Sequence, residues 1–377
     1  MRVLMTGGGT GGHVYPALAI AEIIKANDPG AEIAFVGTKK GIENKLVPPE
    51  GYQLYHVEIQ GISRSLSPKN IKTAYLIMVS PRRAKKIIQE FKPNIVIGTG
   101  GYVCWPLLRA AADMGIPCMV HESNAFPGLA VRQVQKKVDA ILTSFEETAE
   151  KISCKDKVIN VGNPLRLKYN VADKAEARKR LGIPDETKLT VLSFGGSLGA
   201  QAINDTALEV MRRFSSKHGD VVHLHASGSR YFEDMKAKLS DEGLSDCDNI
   251  RMSDYLYDMP QYMAAADLVI CRAGAMTLAE LAMIGKPAIL IPSPNVTDNH
   301  QYKNAKVVSD GGGAFLVEEG KDMFEKVISA LEDIYADSSL AEKMGKAMNS
   351  FARPEAGKNI YSEINKLILM KTKIVDR

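Results

Sequence analysis

The sequence predicts an α/β protein made of two doubly wound domains, each with a parallel sheet covered by helices on both faces. Short, continuous apolar runs alternate with helix-length amphipathic segments, as strands and helices do in βαβ units. Glycine-rich turns follow several of these runs, and the whole pattern begins again near residue 164. A chain of 377 residues is also long enough for two domains that each bury a core.

The first half contains five apolar runs that fit buried parallel strands. They are Val3–Thr6, Ile33–Val36, Ile95–Ile97, Cys118–His121 and Ala140–Thr143. Amphipathic stretches such as Pro16–Ala26 and Pro81–Glu90 lie between them and predict helices that cover the sheet.

The second half repeats this organisation. After Gly162-Asn163-Pro164 and a polar, helix-prone stretch, VLSFGGSLGA at 191–200 parallels VLMTGGGTGG at 3–12. Five further strands are predicted at Leu189–Phe194, Val221–His225, Leu268–Cys271, Ala288–Ile291 and Ala314–Val317. We therefore predict domains at 1–163 and 164–351, while pattern alone does not assign the predicted helix Asn359–Met370 to either.

Composition indicates a globular protein of a reducing compartment. With 45% hydrophobic and 24% charged residues, the chain is neither disordered nor fibrous. Five cysteines, Cys104, Cys118, Cys154, Cys247 and Cys271, are scattered and never spaced as C-x-x-C, which argues against disulfides and structural zinc. The N-terminus shows no signal-peptide pattern, and no apolar run approaches the ~20 residues that span a bilayer. We expect any membrane contact to be at the surface.

Three glycine-rich loops, at 7–13, 98–102 and 195–199, follow predicted strands at the edge where open α/β sheets bind ligands. Glycines allow a ligand to approach closely, and the N-terminus of a following helix attracts anions. The first loop fits G-x-G-x-x-G, the pattern of dinucleotide-binding sites. Such sites also need an acidic residue at the end of the second strand to bind the ribose, and here Glu32 lies at the start of that strand instead. The loops predict a phosphorylated ligand rather than NAD or flavin, and the missing P-loop motif disfavours phosphoryl transfer from ATP.

Residues 271–292, CRAGAMTLAELAMIGKPAILIP, form the most informative segment. A strand is predicted to end at Cys271 and a helix to run over Thr277–Ile284. Arg272 and the first N–H groups of this helix would then converge on a phosphate. Glu280 lies one turn further along, within reach of a ribose, although a solvated helix carboxylate is the alternative. The polar segment Asn295–Tyr302 supplies candidate sugar contacts.

Seven segments occur in order between about residues 3 and 305: TGGGTGGHVYPALAIAE, GTGGYVCWP, HESNAFPG, GNPLR, SFGGSLGAQAIN, CRAGAMTLAE and DNHQYKNA. Together they resemble the MurG family, the UDP-N-acetylglucosamine:lipid I N-acetylglucosaminyltransferases of bacterial peptidoglycan synthesis. Other nucleotide-sugar transferases share single motifs, but the full set is specific. The resemblance implies the GT-B fold, two Rossmann-like domains facing a cleft, with a C-terminal helix (here about 352–377) returning to the first domain.

The resemblance also implies a site for the donor UDP-GlcNAc. By motif, its residues would be Thr10, Gly11, Gly12, Asn124, Arg166, Ser197, Leu256, Ala275, Met276, Thr277, Glu280 and Gln301. Arg272 joins this set because of its position between the strand and the following helix. In this assignment the backbone of Leu256 reads the uracil edge, Glu280 binds the ribose and Gln301 the sugar. Asn124 contacts the acetylglucosamine, and Arg166 and Ser197 bind the diphosphate. His300 stands where the family often has glutamine, so one sugar contact departs from the family pattern.

The implied reaction is an inverting transfer, in which a hydroxyl of lipid I attacks the anomeric carbon as UDP leaves. His13 is the candidate base, because an imidazole titrates near neutrality. It could equally cap the loop or orient acceptor phosphates, and Glu122 and His121 are further candidates. Helix N-termini and arginines can stabilise the leaving diphosphate, so no metal or other cofactor is expected to be required.

Two features that resemble metal motifs have simpler explanations. The one D-x-D, Asp246-Cys247-Asp248, is predicted to lie in a solvated loop rather than after a glycine-rich turn. His223 and His225 share a strand face, but no third ligand is spaced near them. We expect two packed strand histidines.

The net charge of +4 is unevenly distributed. Residues 1–163 carry 20 Lys and Arg against 14 Asp and Glu (+6), and the remainder carries 28 against 30 (−2). No acidic residue occurs at 59–89, where we predict a membrane patch comprising Lys72, Leu76, Arg82, Arg83, Lys85 and Lys86. A solvated helix face is the alternative, and nucleic acid is disfavoured because no binding motif or aromatic platform accompanies the charge. A lipid-linked acceptor favours the anionic cytoplasmic membrane surface.

Three other functions stay open at the level of sequence: another UDP-sugar transferase or epimerase, a Rossmann-type oxidoreductase, and a basic surface-binding module without chemistry. The missing acidic residue counts against the oxidoreductase, and the module leaves the glycine-rich loops unexplained. Thermal-shift measurements with UDP, UDP-GlcNAc and NAD would separate the nucleotide-sugar enzymes from the other two.

Overall fold

The computed structural model describes residues 1–60, 69–166, 173–196 and 198–375. The chain divides into two compact units, one of residues 1–167 with 353–377 and the other of residues 168–352. The sequence pattern predicts these boundaries at 163/164 and 351/352. Each unit contains a parallel sheet flanked by helices, which confirms the predicted α/β class with two Rossmann-like units.

The strands of the first unit are β1 (Arg2–Thr6), β2 (Glu32–Gly37), β3 (Gln53–His56), β4 (Ile95–Gly98), β5 (Cys118–Glu122), β6 (Ala140–Thr143) and β7 (Val158–Asn160). They form a seven-stranded sheet in the order β3-β2-β1-β4-β5-β6-β7, with parallel pairing throughout. All residues of β4 and β5 are buried, as expected for central strands covered on both faces. The carboxyl ends of the strands therefore share one edge.

The helices of the first unit that precede its last strand are α1 (Gly11–Asn27), α2 (Glu43–Leu46), α3 (Lys69–Phe91), α4 (Cys104–Asp113), α5 (Leu129–Val134) and α6 (Glu146–Glu150). Two of them begin before the predicted positions. α1 begins at Gly11, so Pro16 lies inside the helix rather than in its first turn, and α3 begins at Lys69 with Pro81 inside. Proline favours a first turn, which is why the pattern placed the helix starts near these prolines.

The strands of the second unit are β8 (Leu189–Phe194), β9 (Val221–Ala226), β10 (Ile250–Ser253), β11 (Leu268–Cys271), β12 (Ala288–Leu290) and β13 (Ala314–Leu316). They form a six-stranded parallel sheet in the order β10-β9-β8-β11-β12-β13. Its helices are α7 (Lys174–Arg180), α8 (Gln201–Arg213), α9 (Phe232–Asp241), α10 (Met259–Ala265), α11 (Ala275–Ile284), α12 (His300–Asp310), α13 (Met323–Ala336) and α14 (Ser338–Asn349).

The last helix, α15 (Ala356–Val375), packs in the first unit against α1. Ile360 and Ile364 are fully buried in the core of that unit. A side chain at Gly357 would approach Ile23 to 3.3 Å, so this glycine lets the two helices pack closely. The resemblance predicts such a return of the C-terminal helix.

Three strands were not predicted: β3, β7 and β10. Each lies at an edge of its sheet, and none of their residues is buried. Edge strands face solvent on one side, so they lack the continuous apolar runs that identified the central strands. The pattern therefore found the sheet interiors and missed three of their edges.

Candidate active site

The first glycine-rich loop leads from the carboxyl end of β1 into the start of α1. Thr10 occupies the N-cap position with extended backbone, but its side chain does not cap the helix. Thr10 and Gly12 are exposed, and the first turn of α1 contains no acidic residue. The positive end of the α1 dipole is therefore presented to the surface at three of the predicted donor residues, Thr10, Gly11 and Gly12.

His13 is half-buried between the first two glycine-rich loops. Its Nδ1 lies 3.1 Å from the carbonyl oxygen of Gly8 and 3.2 Å from Oγ1 of Thr10. A carbonyl only accepts, so Nδ1 carries the proton in the neutral ring, and Nε2 is then the basic nitrogen. At Gly100, where φ is +108°, a Cβ atom would lie 2.6 Å from Cδ2 of the imidazole, so this glycine makes room for the ring.

The HESN segment at the end of β5 is organised by the buried carboxylate of Glu122. Oε1 accepts from both the backbone and the side-chain nitrogen of Asn124 at 3.0 Å, and Oε2 accepts from the backbone of Gly128 at 2.7 Å. Burial raises the pKa of Glu122 despite these hydrogen bonds. Glu122 thus shapes the loop that carries the predicted donor residue Asn124.

His121, another candidate base, is fully buried, and its Nε2 lies 2.9 Å from the carbonyl oxygen of Gly162. Burial lowers its pKa to about 4. The ring therefore packs inside the unit and ties β5 to the segment 162–163. His13 is the better placed of the three candidate bases, because Glu122 and His121 are both enclosed by their own unit.

Arg166 does not lie open at a phosphate site. Its guanidinium makes two hydrogen bonds to Glu50, at 2.9 and 3.0 Å, and one to Glu22 at 2.9 Å. The two carboxylates raise the pKa of Arg166, so the side chain stays charged. A diphosphate would have to replace at least one of these carboxylates.

In the second unit, Arg272 follows β11 and stands beside the start of α11. Its Nη1 donates to the carbonyl oxygen of Ile291 at 2.9 Å and to Oε1 of Glu319 at 2.5 Å. The helix begins at Ala275, two residues before the predicted start, and Gly274 supplies no side-chain cap. Arg272 and the positive end of α11, including Met276 and Thr277, therefore meet beside the carboxyl end of β11.

The remaining predicted donor residues of the second unit lie on the elements around α11. Glu280 is half-buried on α11 one turn after Thr277, and Leu256 is buried after β10. The side-chain oxygen of Gln301 accepts from the backbone of Ser293 at 2.9 Å, which orients its amide nitrogen as a donor. Ser197 lies outside the described residues.

The turn before α12 is strained. Asp298 and Asn299 have φ values of 54° and 50°, in the left-handed region that non-glycine residues rarely adopt. Nδ1 of His300 lies 2.8 Å from the carbonyl oxygen of Thr297, which closes this turn. Aspartate and asparagine are the non-glycine residues that adopt this region most often, so the Asp298-Asn299 pair is the sequence signal for this turn.

The loop after β9 was not predicted as part of the site. At Gly228, where φ is +83°, a Cβ atom would lie 2.5 Å from the backbone nitrogen of Gly199. The third glycine-rich loop therefore packs directly against this turn. The sequence signal that could have identified it is a glycine two residues after a buried strand, in Ala226-Ser227-Gly228.

His223 and His225 are buried on one face of β9, and both rings lie 2.8 Å from Oγ of Ser193. This confirms the prediction of two packed strand histidines. Asp246 and Asp248 lie in an exposed turn, also as predicted. In the described part of the chain, no group of three or more His, Cys, Asp or Glu side chains is arranged to hold a metal ion.

The predicted membrane patch needs one correction. Leu76 is only 3% exposed and belongs to the core face of α3, because helical periodicity places it in line with the buried Ser80 and Ala84. The exposed face carries Tyr75 and Met78, at 55% and 71% exposure.

Four of the predicted basic residues can be placed on α3. Arg82, Arg83 and Lys86 are exposed, Lys85 is half-buried, and Arg83 pairs with Glu58. Tyr75, Met78, Arg82 and Lys86 follow one another at helical spacing, and we call them the α3 outer stripe. Lys72 lies in the first turns of α3, and its side chain is outside the described structure. No described helix has the length and apolarity to cross a bilayer.

Comparison with known proteins identifies the family. The N-terminal domain of glycosyltransferase family 28 matches residues 3–143, and its C-terminal domain matches residues 190–360. A protein of Caldanaerobacter subterraneus named UDP-N-acetylglucosamine–N-acetylmuramyl-(pentapeptide) pyrophosphoryl-undecaprenol N-acetylglucosamine transferase is 42% identical, over 96% of this chain and 98% of its own. A Thermoanaerobacter protein of the same name is 40% identical, over 97% and 100%.

A solved structure agrees with these relatives. The crystal structure of Acinetobacter baumannii MurG superposes with a TM-score of 0.74 at 26% identity, covering 97% of this chain and 99% of that one. These comparisons confirm the resemblance found in the sequence motifs. The chain therefore belongs to glycosyltransferase family 28, and within it to the MurG family of N-acetylglucosamine transferases.

Proposed function

We propose that this protein transfers N-acetylglucosamine from UDP-GlcNAc to the 4-hydroxyl of the N-acetylmuramic acid of lipid I, making lipid II for peptidoglycan. The relatives that match along nearly the whole chain carry the name of this enzyme. The structural observation that carries the proposal is the start of α11, where Arg272 and a helix N-terminus lie together as a diphosphate site requires. We propose that this product serves cell-wall biogenesis, and so cell shape and division.

The donor would be held mainly by the second unit. Arg272 and the N–H groups of Ala275, Met276 and Thr277 would bind the diphosphate. Glu280 would accept from the ribose hydroxyls, the backbone of Leu256 would read the uracil edge and Gln301 would donate its amide hydrogen to the sugar. The full proposed set also includes Thr10, Gly11, Gly12, Asn124, Arg166 and Ser197.

The proposed chemistry is a single displacement with inversion. The lipid I hydroxyl attacks the anomeric carbon, the new C–O bond forms as the bond to the UDP oxygen breaks, and the hydroxyl proton passes to Nε2 of His13. Nε2 is suited to this step because the hydrogen bond to Gly8 keeps the proton of the neutral ring on Nδ1. We propose that Arg272 and the α11 dipole stabilise the negative charge on the departing UDP, without requiring a metal or other cofactor.

The acceptor is lipid-linked, so we propose that the protein works peripherally at the anionic cytoplasmic face of the cell membrane. The α3 outer stripe supports this placement, because it combines two exposed apolar side chains, Tyr75 and Met78, with two exposed cations, Arg82 and Lys86. Each cation near an anionic leaflet contributes about 1 kcal/mol of binding. We propose no nucleic-acid partner.

The deciding experiment is transfer of labelled GlcNAc from UDP-GlcNAc to lipid I in detergent or vesicles. We expect labelled lipid II and stoichiometric UDP, with no lipid product when UDP-glucose replaces the donor. Free N-acetylmannosamine or UDP-ManNAc in the absence of lipid I would instead indicate an epimerase. The proposed function would be wrong if the folded protein, supplied with membranes that contain lipid I and with labelled UDP-GlcNAc, formed no labelled lipid II.

A further inference from the structure

A buried carboxylate beneath the first glycine-rich loop has no part in the chemistry described so far. The carboxylate belongs to Glu43, the first residue of the short helix α2 after β2, and Glu43 is only 1% exposed. Because β1 and β2 are parallel neighbours, with Thr6 opposite Val36, the loop after β2 lies beside the glycine-rich loop after β1. In the described part of the chain, no lysine or arginine forms an ion pair with Glu43.

The partners of this carboxylate are N–H and O–H donors of two loops. Oε1 accepts from the backbone nitrogen of Thr38 at 2.7 Å and from its hydroxyl at 2.9 Å. Oε2 accepts from the backbone nitrogen of Gly9 at 3.3 Å. One oxygen therefore anchors Glu43 to its own loop, and the other reaches the glycine-rich loop.

Glycines enclose the carboxylate. A Cβ atom at Gly37 would lie 2.4 Å from Cγ of Glu43, and one at Gly41 would lie 2.1 Å from either carboxylate oxygen. One at Gly8 would lie 3.0 Å from both oxygens. These glycines thus have a second role besides forming tight turns, because any larger residue at their positions would collide with the carboxylate of Glu43.

The peptide between Gly8 and Gly9 connects Glu43 to His13. Its N–H, on Gly9, donates to Oε2 of Glu43, and its carbonyl oxygen, on Gly8, lies 3.1 Å from Nδ1 of His13. A peptide N–H that donates to a carboxylate polarises its own carbonyl, which becomes a stronger acceptor. The negative charge of Glu43 therefore favours the proton on Nδ1 of His13, across one peptide unit.

We propose that Glu43 is a positioning residue for transfer: it acts through the Gly8–Gly9 peptide to hold His13 in the orientation and tautomer that leave Nε2 basic. The inference rests on the proposed function only in assigning His13 as the base. The structural link between the two side chains does not depend on the substrate.

The direct test is the tautomer of His13, read from the ring nitrogen shifts of protein labelled with ¹⁵N-histidine. The protein has seven histidines, and the His13→Ala spectrum identifies the His13 signals by their loss. In Glu43→Gln, the amide oxygen is expected to face the two donors of Thr38, which turns the amide NH₂ towards the N–H of Gly9 and breaks the connection. We expect His13 to be protonated on Nδ1 in the wild type and to gain the Nε2-protonated form in Glu43→Gln.

Activity supplies a second readout through a double-mutant cycle. Glu43→Gln is expected to lower kcat about tenfold when His13 is present, the lower end of the roughly 10–100-fold loss that follows removal of a group that orients a metal-bound imidazole. In a His13→Ala background, the same change should alter kcat less than twofold. A purely structural role for Glu43 would give the same loss in both backgrounds.

Thr38→Val is the matched control, because it removes a hydrogen bond to Oε1 and leaves the Oε2–Gly9 connection in place. It should lower the melting temperature without changing the His13 tautomer. If Glu43→Gln does not fold, Glu43→Asp carries the same test, since its carboxylate is withdrawn from Gly9 by one methylene.

An unchanged His13 tautomer in the folded Glu43 variant, or equal losses of kcat in both backgrounds, would overturn the proposal. Failure of the wild type to transfer GlcNAc would contradict the proposed function instead. The tautomer measurement would still decide whether Glu43 acts on His13.

Discussion

Two helix starts in this protein use the same backbone arrangement in opposite electrostatic surroundings. α1 and α11 both follow a buried parallel strand, and neither is capped by a side chain at its N-cap residue. Beneath the loop before α1 lies the carboxylate of Glu43, and the imidazole of His13 lies in its first turn. Beside α11 lies the guanidinium of Arg272.

The difference shows how one fold provides two kinds of chemistry. A helix N-terminus with a cation suits a diphosphate, because both contribute positive charge. A helix N-terminus backed by a buried carboxylate and an imidazole suits a hydroxyl that must lose a proton. Substitutions that alter one of these two regions at a time should therefore separate proton transfer from diphosphate binding.

The largest effect is expected from His13→Ala. Loss of a general base typically lowers turnover by about 10²–10⁴-fold, and we expect kcat to fall by that amount with UDP binding unchanged. Steady-state transfer to lipid I and calorimetry with UDP would measure the two quantities.

His56→Ala is the matched control for that change, because His56 is an exposed histidine of the same unit. It should leave kcat within a factor of two. Turnover of His13→Ala within about threefold of wild type would contradict the role of His13 as base.

Arg272→Ala should weaken UDP binding by up to about 100-fold, since hydrogen bonds to charged groups contribute about 1.5–3 kcal/mol. Uridine, which has no phosphate, should bind equally well to both proteins. Isothermal titration with each ligand tests whether the loss belongs to the diphosphate.

Glu319→Gln should have the opposite effect on UDP affinity. It releases Arg272 from the carboxylate 2.5 Å away, so UDP should bind more tightly than to the wild type. Equal losses of uridine and UDP binding in Arg272→Ala would mean that Arg272 supports the fold of the site rather than the phosphate.

The sequence predicted the α11 region well because the strand, the glycine turn and the arginine lie within a few residues of one another. It missed Glu43 because the contact with Gly9 joins residues 34 positions apart, in two loops that only the parallel pairing of β1 and β2 brings together. The ion pair of Arg166 was missed for the same reason, because its partner Glu50 is 116 positions away in the sequence. Local patterns locate loops and helix starts, whereas such pairings depend on tertiary packing.

Leu76 shows the same limit within one helix. Its neighbours in the sequence are basic and apolar, which predicted a surface patch, but composition does not say which side of α3 faces the core. The buried positions Leu76, Ser80 and Ala84 and the exposed positions Tyr75, Met78 and Arg82 interleave along the helix. Only the packing of α3 in its unit assigns the two faces.

Substitutions in the α3 outer stripe, which lies outside both helix starts, should have a smaller effect than those at His13 or Arg272, and the effect should be on membrane binding. Arg82→Ser with Lys86→Ser should weaken binding to anionic vesicles by roughly 30-fold, at about 1 kcal/mol for each cation removed. Co-sedimentation with vesicles of phosphatidylglycerol would measure it, and UDP affinity should not change.

Lys151→Ser with Lys155→Ser removes two exposed cations elsewhere in the same unit and serves as the control. It should cost little vesicle binding. Equal losses in the two double variants would indicate a general effect of net charge, and no loss in either would rule out the proposed role of the stripe.

The smallest expected effect is on the pH dependence of stability, which depends on buried histidines in both units. Burial lowers the pKa of His121 in the first unit to about 4, and the pKa values of His223 and His225 in the second to about 3 and about 4. In the unfolded chain these rings take up protons below pH ~6.5, whereas the folded protein keeps them neutral until about pH 4. The stability they contribute is therefore complete above pH ~6.5 and falls as the pH decreases towards the folded values.

When the pH is lowered from 7.5 to 5.5, each buried neutral histidine should lower the free energy of unfolding by about 1 kcal/mol. His223→Gln with His225→Gln should therefore reduce the pH dependence of that free energy about twice as much as His121→Gln. Urea unfolding at the two pH values measures this difference, and it is independent of any constant destabilisation that the substitutions cause. Equal reductions in the two variants would mean that one ring of the β9 pair already takes up a proton in the folded protein, since the shared hydroxyl of Ser193 can accept from an imidazolium.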